Sequence, residues 1–191
     1  MRSSDLDDTF SQLEARLLDK GGLSPSRSDP FFYFVFAPEQ AIEVKRRLLP
    51  WSARLHNAGM DVDRLSLSDV VWQLIDEAGT WEEWREAEPD AEQREVNEAV
   101  SSLLRTGNAL VERVAAHIAA ARDGSVVFLT ETEMLHPYFR VRGLESALHD
   151  RVRVPTVVFY PGRRAGQFGL HFLDFYPYDG NYRATLLGGL A

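Results

Sequence analysis

The sequence predicts an α/β fold, a single three-layer sandwich with helices on both faces of a mostly parallel sheet. Three observations carry that prediction. Runs such as Phe31–Phe36 and Val126–Thr130 are continuously apolar, as strands covered on both faces are. Helical stripes fall between these runs, so strand and helix alternate along the chain. The 191 residues show no repeat and no linker long enough to separate two cores, so one domain is expected over 1–191.

The elements follow in order. Leu6, Phe10, Leu13 and Leu17 recur at helical spacing, which predicts an amphipathic helix over 5–18, broken by Gly21-Gly22 and Ser24-Pro25-Ser26. The aromatic run at 31–36 is the first strand, and Pro38 ends it. A helix over about 39–58 follows, with Pro50 expected to divide or kink it and Gly59 to stop it. Residues 60–65 alternate like a second strand. Ser66, with Asp69 three positions on, has capping-box spacing and opens a helix whose stripe is Leu67, Val70, Val71, Leu74 and Ile75.

A long helical pattern spans 90–122 with Gly107-Asn108 as its split, and Gly124 precedes the strand at 126–130. A short helix around 144–149 leads to the strand at 154–160, which Pro161-Gly162 is expected to close with a turn. Residues 170–175 read as the last strand, antiparallel because its connection is so short.

Composition narrows the class. Cysteine is absent, so thiolate chemistry and disulfides have no place. The first residues lack the apolar core of a signal peptide, and no apolar run approaches spanning length, so a cytoplasmic chain without membrane contact is expected. The net charge of −8 is concentrated: residues 76–98 hold ten acids and two arginines, and the remaining 19 acids and 19 bases cancel. This acidic helical excursion would repel phosphate backbones, which makes direct DNA binding a disfavoured reading. Arg140, Arg142, Arg151, Arg153, Arg163 and Arg164 do make the stretch from 140 to 164 basic, and a DNA-binding accessory module is the reading that would use them. The favoured account is a solvated surface whose arginines pair with nearby acids.

In such folds ligands bind beyond the carboxyl ends of the strands. After the first strand stands Ala37-Pro38-Glu39-Gln40-Ala41, with no glycine, lysine or hydroxyl residue. A phosphate-binding loop needs glycines whose amides wrap the phosphates, then Lys and Ser or Thr. The fold is therefore expected to be P-loop or Rossmann-like but without that loop, and no cofactor is expected.

After the third strand come Glu131, Glu133 and His136, which with Glu39 form a candidate strand-end site. A metal-dependent hydrolase or nuclease would use Glu131, Glu133 and His136 as acid, base or ligands. The plainer account has Thr130 and Thr132 capping the turn, the glutamates pairing with Arg140 or Arg142, and His136 bonded to backbone. That account is preferred, and no catalytic or metal residue is assigned. Trp81 and Trp84 share a helical face among glutamates, and with Arg163 and Arg164 they are the candidate partner surface. The expectation for the tryptophans is that they plug the edge of the chain's own core. The arginines are read as solvated on their turn.

Five segments, taken together, carry a resemblance. They are Phe34-Val35-Phe36-Ala37-Pro38; Gly59-Met60-Asp61-Val62 leading into Ser66-Leu67-Ser68-Asp69-Val70-Val71-Trp72; Phe128-Leu129-Thr130 with His136-Pro137-Tyr138-Phe139-Arg140; Val154-Pro155-Thr156-Val157-Val158-Phe159-Tyr160-Pro161-Gly162; and Asp179-Gly180-Asn181-Tyr182-Arg183-Ala184. In their order and spacing the chain resembles BrxB, a family of small proteins of the BREX phage-exclusion systems. The resemblance implies a cytoplasmic defence component with no established enzymatic activity, serving as an adaptor or scaffold. The companions it implies are the phosphatase-like PglZ, favoured as direct partner, the ATPase BrxC, the methyltransferase PglX and a Lon-like protease.

Overall fold

The computed structural model describes residues 3–19, 30–166, 169–180, 182 and 184–189. Its centre is a six-stranded sheet built from β1 (Phe31–Phe36), β2 (Val62–Ser66), β3 (Val126–Thr130), β4 (Thr156–Ala165), β5 (Gly169–Phe172) and β6 (Thr185–Gly188). The order is β2-β3-β4-β1-β6, all parallel, with β5 antiparallel to the far half of β4. Register follows from the apolar runs: Phe32 lies beside Val157 and Phe34 beside Phe159.

Every residue of β1 and of β3 is buried because helices cover both faces. One layer is α1 (Ser3–Leu18) with α2 (Ala41–Asn57); the other is α3 (Leu67–Ala78), α4 (Trp81–Ala87), α5 (Gln93–Arg105), α6 (Ala109–Ala120) and α7 (Val141–Leu148). Successive strand residues point to opposite faces, so β1 divides its side chains. Phe32, Phe34 and Phe36 enter the α1/α2 core, where Phe10 stacks on Trp51 with ring centroids 4.6 Å apart. Phe31, Tyr33 and Val35 enter the other. Asp7 ties α1 to α2 by accepting from Arg47 and from the Trp51 indole, at 3.0 Å for the latter.

Much of the expected order is present. The leading helix buries Leu6, Phe10, Leu13 and Leu17. The Ser66 hydroxyl accepts the Asp69 amide at 3.1 Å and caps α3. Gly107 and Asn108, at φ 59° and 58°, split the long helical stretch into α5 and α6. The breaker at 21–26 lies outside the described residues, as do Asn181 and Arg183.

Three expectations need correction. Pro50 does not divide α2, which runs from Ala41 to Asn57 around it. Pro50 and Arg46 are both exposed, so the helix loses its one donor on the solvent side, where it costs least. Pro161-Gly162 does not close β4 with a turn: the strand continues to Ala165 and pairs with β5 there. At Gly162 a Cβ would stand 2.1 Å from the His171 carbonyl oxygen, so the glycine serves close strand approach instead. Residues 170–175 are not the last strand either. β5 stops at Phe172, and β6 adds itself to the open side of β1.

Candidate functional site

The carboxyl ends of β2 and β3 bring together a charged constellation. Glu131 follows the last residue of β3 with φ 61°, a left-handed conformation that non-glycine residues adopt at a cost of about 1–3 kcal/mol. That turn aims its carboxylate back over the sheet edge. There it accepts from the Ser66 hydroxyl at the end of β2. Lys45, on the second turn of α2, reaches across and places its Nζ 3.0 Å from Glu131 and 3.2 Å from Glu133. Arg64 adds a guanidinium 3.7 Å from Glu131 and donates from Nε to the Thr130 hydroxyl at 3.2 Å.

The charges hold one another. Burial alone would push the Glu131 carboxyl up. The Ser66 and Lys45 hydrogen bonds and the nearby cations outweigh it, and the group sits below the ordinary carboxylate range. Burial disfavours the Lys45 ammonium too, yet its bonds to Glu131 and Glu133 raise its pKa. The lysine is thus neutralised from within, and both carboxylates already hold a cation.

His136 stands apart from this group. The short helical turn Thr132–Leu135, which carries Glu133, lies between it and Glu131, and the Nδ1 of His136 is hydrogen-bonded to the Tyr176 hydroxyl. The ring lies edge-on to Phe175 at 5.2 Å. Burial, aided by the charge of Arg140, lowers its pKa. Glu39 is exposed on the 3-10 turn Pro38–Gln40. Among the described residues, no three histidine or acidic side chains are placed to hold a metal ion.

Several expected partners are therefore different. Glu131 and Glu133 pair with Lys45 rather than with Arg140 or Arg142, because α2 starts at the carboxyl edge of the sheet where β3 also ends. Arg140 lies over the Tyr176 ring at 4.2 Å, and Arg142 bonds Asp179 at 2.6 Å. The His136 ring takes a side-chain partner, Tyr176, while its amide donates to the Glu133 carbonyl at 3.1 Å. Thr132 does not cap its turn but donates to the Phe159 carbonyl at 2.7 Å.

Among the described residues, the arginines of 140–164 meet acids of the same chain in three cases: Arg142, Arg151 with Glu112 at 2.7 Å, and Arg163 with Asp174 at 2.7 Å. Arg164 is not on a solvated turn. It belongs to β4, its amide donates to the Gly189 carbonyl at 2.9 Å, and its Nε is buried with no hydrogen-bond partner among the described residues.

The tryptophans divide. Trp84 is half-buried against the core on the α3–α7 side, as a core plug would be. Trp81 instead meets Trp72 of α3, ring centroids 5.9 Å apart and nearly perpendicular, and both stay about half exposed at 45% and 47%. Trp72 falls outside the buried stripe of α3, and that spacing was a readable sign of exposure.

A third group was not anticipated. Glu145 of α7, itself buried, accepts the Tyr33 hydroxyl at 3.1 Å beneath Tyr160 and Tyr182. Burial holds all three phenols far above their ordinary pKa, so they remain neutral donors inside the core. A groove of about 610 Å³ opens at the other end of the sheet, where β2 and β3 begin, lined by residues including Leu49, His56, Asp63 and Arg122. Open α/β sheets place their ligands at the opposite edge. No described helix is long and apolar enough to cross a membrane.

No curated protein and no solved structure matches the chain. A family does. The family model described as BREX protein BrxB matches residues 63–187, which run from β2 to β6 and include Glu131, Glu133, His136 and the three tryptophans 72, 81 and 84. The segments at 34–38 and 59–62 that share in the resemblance precede the matched span, as do Glu39 and Lys45. With about two-thirds of its length matched, the chain belongs to the BrxB family of BREX proteins and is a component of that phage-defence system.

Proposed function

We propose that this protein is a cytoplasmic, non-catalytic subunit that works as an adaptor within its BREX assembly, with a PglZ-like phosphatase-fold protein as its favoured direct partner. BrxC and PglX are the further candidates. One observation carries the non-catalytic reading. The sheet edge where an α/β enzyme keeps its reacting groups is occupied by Lys45, Glu131 and Glu133 satisfying one another. The loop after β1 offers Pro38 and Glu39 where a nucleotide's phosphates would need glycine amides and a lysine. Family membership supports partners drawn from the same system.

Co-expression tests this directly. A tagged chain expressed with the untagged subunits of its system should retain the PglZ-like protein through affinity and size-exclusion steps. Recovery of the chain alone, with every subunit present and soluble, contradicts the adaptor reading. Calorimetric titration with Mg-ATP, and with magnesium, manganese or zinc alone, should give no binding heat. Saturable heat from any of them sinks the non-catalytic reading.

A further inference from the structure

We infer that the exposed Trp72–Trp81 pair, with Asp69 and Asp76 beside it, is a docking shelf for an arginine-bearing basic segment of a protein partner. The inference rests on the adaptor reading and gives it a place and a chemistry. Gly79, left-handed at φ 67°, ends α3 and turns the chain so that Trp81 opens α4 beside Trp72. Trp84 then packs inward and fixes α4 to the core side, so the shelf stands on an anchored helix. Leu67, Val70, Val71, Leu74 and Ile75 take the inner face of α3, which leaves Trp72 facing out. Half-exposed paired indoles present a large, stiff apolar surface of the kind that dominates protein interfaces.

Charge identifies the occupant. On α3, Asp69 lies three residues before Trp72 and Asp76 four after it, so all three share one outer face. Asp69 and Asp76 are exposed and make no ion pair among the described residues, whereas Glu77 is bound to Arg113 at 2.5 Å. Beyond them runs the acidic stretch 76–98, with its balance of −8. Anionic partners such as nucleic acid or a lipid surface are repelled. A cation is drawn in, and the ring faces favour the planar guanidinium, which stacks on indole while its N–H fork reaches a carboxylate. A lysine offers only a point charge.

Fluorescence anisotropy with labelled nona-arginine, nona-lysine and nona-glutamate peptides tests the shelf on the whole chain. Nona-arginine should bind roughly 10-fold tighter than nona-lysine, and nona-glutamate should not bind. The Trp72→Ala/Trp81→Ala variant should lose about that factor for nona-arginine while nona-lysine changes little. A variant with Phe at both positions, which keeps the packing, should show an intermediate loss. Asp69→Asn/Asp76→Asn should weaken both basic peptides.

Equal binding of the two basic peptides, unmoved by the tryptophan substitutions, overturns the shelf, and so does no binding at all. The same variants in co-expression separate the two ideas. A partner complex that forms and survives Trp72→Ala/Trp81→Ala sinks the shelf and leaves the adaptor. A chain that selects nona-arginine yet captures no subunit sinks the adaptor and leaves the shelf.

Discussion

Replacing Lys45 with methionine removes the cation between Glu131 and Glu133 while keeping a similar side-chain volume. At roughly 3 Å, a unit charge pair is worth about 5 kcal/mol if the local dielectric is near 20. Lys45 is 45% exposed, so solvent screening and the entropy of holding a long side chain reduce each contact to roughly 0.5–1 kcal/mol. Two contacts then predict a loss of about 1–2 kcal/mol at neutral pH, a fall in Tm of roughly 3–6 °C for a chain of this size.

The pH dependence carries a sign. Glu131 is depressed below its ordinary 4.5, so its contribution is present above that value and is lost as pH falls through the depressed pKa. Lys45 is raised above 10.5, so its contribution persists below that value and disappears as pH climbs through the raised one. The gap between wild type and variant is thus widest between about pH 5 and 10 and closes on both sides. Thermal melts followed by circular dichroism from about pH 3 to about pH 12, in the wild-type and the Glu131→Gln/Glu133→Gln backgrounds, provide the assay. The same loss in both backgrounds, or a gap that does not change with pH, refutes the reasoning.

Other perturbations follow from the same structure. Trp51→Ala empties the centre of the α1/α2 core and removes the bond to Asp7, so urea denaturation should show a loss of about 4 kcal/mol. Gly162→Ala forces a methyl against the His171 carbonyl oxygen and should cost about 1–3 kcal/mol in the same assay, with β5 amides exchanging faster. His136 has a pKa held below 6.5, so its stabilising effect is present above that pH and fades as acid carries the solution through the lowered value. A His136→Gln chain should lose less stability than wild type between pH 7.5 and 5.5.

What could be read in the sequence, and what could not, divides by distance along the chain. β1 and β3 announce themselves because burial on both faces demands unbroken apolar runs, and α3 because its stripe and Ser66 cap are local. β6 was illegible. Its four residues end in Gly188, which approaches the Val35 carbonyl closely, so it has neither length nor pattern. The continuation of β4 through Pro161 was hidden by local turn chemistry, which the partner strands override.

At the site, Glu131 and Glu133 could be singled out by type, but not their partner. Lys45 is remote in sequence and meets them because α2 begins at the carboxyl end of β1, the same edge at which β3 ends. Trp81 and Trp84 looked equivalent by spacing, yet Gly79 and the line of α3 decide that one faces Trp72 in solvent and the other the core.

Sedimentation velocity on an equimolar mixture of this protein and the PglZ-like subunit of its own system tests the account most directly. It predicts a single faster boundary holding both chains at concentrations near 1 μM, with no requirement for nucleotide or metal. Two independent boundaries persisting up to tens of micromolar, for that subunit and for BrxC and PglX in turn, would contradict it.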